Sequence, residues 1–179
     1  MIAQPRICPR SATPEDIDEL VRLRGHLLSS GSGVYVARDP EEDAAWRRAY
    51  RAWLARVLAR PADRVHVTVA GPAERLAACA LAVVDERAPT ARCPNGLAGW
   101  VQTVVVDPPW RRRGLGARVM DHALDWLASR DVSAVALQTT EDGAPLYRKL
   151  GFVPTGEDLL TLDLRAGRTA PHRSVRQIP

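Results

Sequence analysis

A chain of 179 residues, 46% hydrophobic and 26% charged, is long enough for one domain with a sizeable core and too short for two comfortable ones. That composition excludes disorder throughout, and the longest nearly pure apolar run, Leu76 to Val84, is too short to cross a bilayer, so no membrane partner is expected. The net charge of +4 and pI near 9.4 admit an anionic partner, yet the arginines are scattered without an aromatic-interleaved stripe, which predicts no nucleic-acid surface.

In chain order, Arg6 to Arg10 reads as a short first strand. Thr13-Pro14-Glu15-Asp16 is a helix start, a cap followed by proline and acids, and Ile17, Leu20, Val21, Leu23 and Leu27 recur at helical spacing behind it. Gly31-Ser32-Gly33 breaks the chain, and Asp39-Pro40-Glu41-Glu42 starts a second helix whose stripe of Trp46, Tyr50, Trp53, Val57 and Leu58 runs to about Ala59 before Pro61. Val65 to Val69 and Leu76 to Val84 are β-rich runs around Gly71-Pro72, an antiparallel hairpin. The polar segment from Arg87 to Leu97 predicts a loop, and Gly99 to Val106 a strand.

A helix follows from about Gly114 to Arg130, with Leu115, Val119, Ala123, Trp126 and Leu127 on one face. Ala134 to Leu137 is a further strand, and Ala144 to Leu150 a short helix stopped by Gly151. Phe152 to Thr155 and Leu159 to Leu164 predict two closing strands, and 165–179 a basic, poorly ordered tail. The order describes an α/β domain with a mixed sheet. Cys8, Cys79 and Cys93 are odd in number and lack metal-type spacing, so neither a disulfide framework nor a metal site is expected. The amino terminus lacks a basic segment followed by an apolar one, which makes the expected location cytoplasmic.

The segment carrying most chemistry is Val104-Val105-Val106-Asp107-Pro108-Pro109-Trp110-Arg111-Arg112-Arg113-Gly114-Leu115-Gly116-Ala117. An apolar strand empties there into an Arg/Gly loop that opens a helix, so backbone N–H groups, the helix dipole and guanidinium charge converge on one place. Tight packing would use Gly114 and Gly116 equally well. Two standard nucleotide motifs fail: Gly116-Ala117-Arg118 lacks the P-loop Lys-Ser/Thr, and no third glycine completes a dinucleotide fingerprint.

Paired with Ala144-Pro145-Leu146-Tyr147-Arg148-Lys149-Leu150-Gly151-Phe152, the loop resembles the GCN5-related N-acetyltransferase family, whose cofactor loop reads Arg/Gln-x-x-Gly-x-Gly/Ala and whose later helix ends Leu-Tyr-x-x-x-Gly-Phe. The resemblance implies a single-domain acyl-coenzyme A N-acyltransferase fold over residues 5–164, its mixed, mostly antiparallel sheet flanked by helices and its central strands splayed. It implies acetyl-coenzyme A (acetyl-CoA) as cosubstrate, without a metal. Its pantetheine would lie along the backbone of Val104, Val105 and Val106, and its pyrophosphate on Arg112, Arg113, Gly114, Leu115, Gly116 and Ala117, with Arg111 as the first basic residue. Thr140 stands where many relatives carry asparagine, on the pantetheine side, and Gly143 where they carry alanine.

Amine acetylation needs a neutral nitrogen, and an alkylammonium of pKa near 10 is only about one part in a thousand neutral at neutral pH. It also needs a donor for the departing thiolate and a backbone N–H for the oxyanion. Tyr147 matches the family's general acid, and the strand Val104 to Val106 would supply the oxyanion donor near a bulge. Gln102 stands where many members have glutamate, and an amide accepts no proton, which leaves Glu141, Asp142, Glu86 and His66 as candidate bases beside water or a backbone carbonyl. Trp46, Tyr50 and Trp53 suit helix-to-sheet core better than an acceptor pocket, while Glu41, Glu42 and Asp43 either attract a cationic amine or serve the helix dipole. The implied activity is direct transfer to a primary amine of a small molecule, an antibiotic or metabolite. Alternatives are a protein amino terminus or lysine as acceptor, or a non-catalytic acyl-CoA sensor, and a homodimer stays open.

Overall fold

The run Ala78-Cys79-Ala80-Leu81-Ala82 alternates alanine with larger side chains, and a strand turns such alternation into two unlike faces. In the computed structural model, which describes residues 7–30, 36–59, 64–72 and 74–162, this strand is the centre of a five-stranded sheet. Its strands are β1 (Arg10–Ser11), β2 (Val65–Ala70), β3 (Ala78–Glu86), β4 (Leu97–Val106) and β5 (Ala134–Leu137), in that spatial order. The first four pair antiparallel and β4–β5 parallel, the mixed sheet that the element order predicts. Helices α1 (Ile17–Ser30), α2 (Pro40–Leu58), α3 (Leu115–Ala128) and α4 (Ala144–Lys149) complete the fold.

Each face has its own core. Ala70, Ala78, Ala80 and Ala82 form a low floor on which Val119, Met120, Ala123 and Leu127 of α3 sit. Val67, Val69, Cys79 and Leu81 project to the other side and meet Leu20 and Leu23 of α1 and Leu54 of α2. Tyr50 and Trp53 pack against this second core, their rings stacked at 5.9 Å, so that part of the aromatic stripe is core as expected. Trp46 instead donates through its indole to Asp43 at 2.9 Å.

The helix starts follow their local chemistry. Thr13 and Asp16 close a capping box over a 3-10 turn, Pro14–Asp16, that leads into α1. The Asp39 side chain accepts the Glu42 N–H at 2.8 Å ahead of α2. The first strand is shorter and later than expected, because only Arg10 and Ser11 pair, with Val69 and Thr68. The break at Gly31-Ser32-Gly33 and the tail 165–179 lie outside the described residues.

One expectation is overturned: Phe152 to Leu162 forms no strand. Phe152 packs against the α3-side core, but Val153 is 79% exposed and Leu160 88%, so the residues after it meet no sheet face. Pro154 lacks a backbone donor, and Gly156 turns the chain with a φ of +77°, which interrupts an extended run. Residues 163 and 164 lie outside the described residues.

The alanine floor sets how closely α3 approaches the sheet. Ala80→Leu should therefore overpack that interface and lower stability by about 1–3 kcal/mol, read as a reduced midpoint in urea at unchanged slope.

Candidate functional site

Strand β4 carries a bulge at its middle. Leu81 pairs with Thr103 and Ala82 with Val101, which leaves Gln102 without an opposite residue. The extra residue reverses the strand's phase: Val101 faces the α3 core, but after the bulge Val104 and Val106 do, while Val105 joins the core under α1. Gln102 is exposed. At the same level the sheet opens. β4 and β5 pair only from Ala98↔Ala134 to Val101↔Leu137, so the β5-side edge of residues 102–106 has no strand partner among the described residues. An unpaired edge is a row of main-chain donors and acceptors available to an extended ligand.

Past Val106 the chain makes a 3-10 turn, Pro108–Trp110, and enters α3 through Arg111, Arg112, Arg113 and Gly114. Arg112 has a φ of +62° and Gly114 +77°. Left-handed residues alternating with ordinary ones turn successive N–H groups toward one concavity, and Gly114, as the N-cap of α3, has no side chain to satisfy the first-turn donors. A Cβ on Gly116 would stand 3.1 Å from Leu146 Cδ2, so this glycine lets α4 come close to α3. Leu115 is buried and Ala117 half-buried.

The three guanidinium groups differ in freedom. Arg111 Nε donates to the Val106 carbonyl at 3.3 Å, and Arg113 lies over the Trp110 ring at 5.1 Å. Arg112 makes no hydrogen bond or ion pair among the described residues and is exposed, the freest of the three to meet an anion.

Tyr147 lies on α4, half-buried against the α3-side core and edge-on to Phe152 with ring centroids 5.9 Å apart. Burial raises its phenol above the ordinary 10, so it is protonated at neutral pH. Thr140 sits at the turn into α4, where its hydroxyl and carbonyl accept the Gly143 N–H at 3.3 and 3.1 Å. A Cβ on Gly143 would stand 2.5 Å from Thr139 Oγ1, which explains glycine there.

Two candidate bases lie elsewhere. Glu86 pairs with Leu97 at the far end of β4 and is bridged to Arg64 at 2.6 Å. His66 belongs to β2, stacked between His122 and Trp126, and burial pulls it down to about 4, which keeps it neutral. Glu141 and Asp142 are exposed just before α4. Of the acidic run in α2, Glu42 is bridged to Arg38, and Asp43 to Arg47 at 2.6 Å.

Sequence reasoning did not single out Asp107. It directly follows β4, is fully buried, and lies 3.1 Å from Arg22 Nη1, 3.4 Å from His26 Nε2 and 3.2 Å from Arg75 Nε. Burial alone would raise its carboxyl, but hydrogen bonds from Arg22 and Arg75 outweigh it and hold the group below its ordinary 3.8. Arg24 of α1 was also passed over: its Nη1 donates to Thr103 Oγ1 at 2.7 Å and its guanidinium carbon lies 4.7 Å above the Tyr50 ring. Asp107 lies within the Val104 to Ala117 segment but outside its Arg/Gly pattern, and Arg24 belongs to no motif, so no local signal marked either as paired or buried.

The family model for the Acetyltransferase (GNAT) family matches residues 27–152. Glucosamine 6-phosphate N-acetyltransferase 1 of Oryza sativa subsp. japonica is 35% identical over 105 residues, 59% of this chain and 62% of that protein, so the match spans less than two thirds of its relative. A GCN5-related N-acetyltransferase from Ralstonia eutropha JMP134 superposes with a TM-score of 0.72 at 27% identity, covering 87% of this chain and 98% of the other. A predicted acetyltransferase from Clostridium acetobutylicum, solved with acetyl-CoA, shares the fold with a TM-score of 0.73 at 21% identity over 90% and 99% of the two chains.

Asp107→Ala removes the carboxylate shared by Arg22, His26 and Arg75, which keep access to solvent, and should cost about 1–3 kcal/mol in denaturant unfolding. Because the folded carboxyl titrates below its ordinary range, its contribution is present above that range and fades as pH falls through the folded value. The stability gap between the parent and Asp107→Asn should therefore narrow under acid, as followed by urea titrations at stepped pH.

Proposed function

The chain belongs to the acetyltransferase (GNAT) family of acetyl-CoA-dependent acyltransferases, and from that premise we propose that it transfers an acetyl group directly onto a primary amine of a small molecule. The observation that carries this reading is the unpaired β4 edge running from the Gln102 bulge into the Arg112–Gly114 turn. Bound acetyl-CoA supplies an activated thioester. The main chain of Val104 to Val106 holds its amide-bearing arm, and the N–H groups from Arg112 to Ala117 hold its pyrophosphate, with Arg112 free to add charge.

As the neutral amine forms its bond to the carbonyl carbon, a backbone N–H beside the bulge stabilises the oxyanion. The C–S bond then breaks as the protonated Tyr147 hydroxyl gives its proton to the departing thiolate, and the amine's proton leaves to water, from which Tyr147 is restored. Direct transfer suits the cysteines. Cys79 is fully buried and pushed up to about 12 by that burial, so it offers no thiolate for an acyl-enzyme. The unit performing this chemistry spans residues 5–164 in our reading. A small-molecule acceptor is favoured by the relative that acts on an amino-sugar phosphate.

Release of coenzyme A thiol over a panel of amines, with acetyl-CoA binding measured in parallel, tests the reading. Turnover with at least one amine is expected, and tight binding without turnover on any would overturn it. Tyr147→Phe should lower kcat by about 10²- to 10⁴-fold while the KM for acetyl-CoA stays near the parent value.

A further inference from the structure

Several arginines on and just ahead of the helices on the α1 side of β4 are bridged to acids, while Arg48 and Arg56 have no acid among the described residues but are exposed. Arg22 is bridged to Glu19 and Asp107, Arg47 to Asp43, and Arg38 and Arg51 to Glu42 and Asp18. Arg24 is different. Among the described residues it has no carboxylate partner, only the Thr103 hydroxyl at 2.7 Å and the face of Tyr50 at 4.7 Å. Both neighbours are neutral at working pH, since burial also pushes the Tyr50 phenol up.

Its place gives this lone charge a use. Thr103 directly follows the Gln102 bulge, at the level where β4 parts from β5. Arg24 is thus a half-buried cation beside the proposed reacting edge, and a guanidinium with one of its five donors on Thr103 keeps a fork for a planar or tetrahedral anion. Asp107 does not compete for it, because that carboxylate is shared among Arg22, Arg75 and His26. Their own bridges to Arg38 and Arg47 leave Glu42 and Asp43 with little charge to offer a polycationic acceptor.

We propose that the acceptor amine carries an anionic group, a phosphate ester or a carboxylate, and that Arg24 binds it. Arg24 then determines acceptor specificity while leaving the donor side untouched. The proposal rests on the transfer reading above and narrows its acceptor class.

Two matched pairs separate the anions: glucosamine 6-phosphate against glucosamine, and lysine against cadaverine. Calorimetric binding of each to the full chain saturated with coenzyme A should favour the anionic member of at least one pair by about tenfold or more. Arg24→Gln should remove that preference, leaving the member without the anionic group and coenzyme A bound as before, and Arg24→Lys should restore part of it. Equal binding within both pairs, or a preference that survives in Arg24→Gln, overturns the proposal. If Arg24→Gln fails to bind coenzyme A, the parent's matched pairs and their loss of preference in high salt decide it. Thiol release run beside the titrations keeps the two readings apart. Anion-selective binding without turnover overturns transfer and leaves Arg24 its role, whereas turnover without selectivity does the reverse.

Discussion

The buried carboxylate of Asp107 ties together the parts on which any site in this fold depends. Its own N–H donates to the Ala77 carbonyl at 2.8 Å, its carbonyl accepts the Trp110 N–H at 2.8 Å, and its side chain faces Arg22 and His26 of α1 and Arg75 of the β2–β3 connection. A buried carboxylate without such partners would lie heavily against folding, so the pairing fixes geometry more than it adds stability. Arg22 extends the knot by donating to the Leu76 carbonyl at 2.8 Å, while Glu19 accepts the Leu76 N–H at 2.9 Å. The consequence is positional. The strand that offers a free edge, the turn that gathers N–H groups and the helix that carries Arg24 all meet at one residue.

The bulge one turn earlier works with this knot. Without the extra residue at Gln102, strict alternation from Val101 would put Val105 and Asp107 on the α3 side. The α3 side is floored by alanines, whereas the α1 side holds Arg22 and His26. The phase change is therefore what lets Asp107 be buried and paired. It also ends the regular register where β5 stops, so the sheet opens at the point where its pattern breaks.

How much of this could be read from residues follows the range of the forces involved. Helix starts at Thr13 and Asp39, the Gly114 turn and the alternation in β3 depend on neighbours a few positions away, and all are visible in the chain. The bulge was expected near Val104 to Val106 from the family resemblance, but its place at Gln102 depends on which residue of β3 lies opposite, and the burial of Asp107 depends on three basic side chains from two distant segments. The failure at Phe152 to Leu162 is of the same kind. Val153, Leu159, Leu160 and Leu162 have the composition of strands, but composition does not say whether an edge receives them, and here they stay exposed.

The same distinction explains why the donor was identifiable and the acceptor was not. Acetyl-CoA, in the proposed mode, is held chiefly by main-chain groups, and main-chain geometry demands glycines and a strand-to-helix turn within one short segment. Such a demand writes a motif. The proposed acceptor anchor draws Arg24 from α1, Tyr50 from α2 and Thr103 from β4, three side chains brought together only by the packing of two helices on a bulged strand. Each is ordinary in its own stretch of sequence, and Arg24 sits in a helix otherwise read for its apolar face. Its charge stands out only once the fold shows it half-buried and without a carboxylate, while Arg22, Arg47 and Arg51 have theirs.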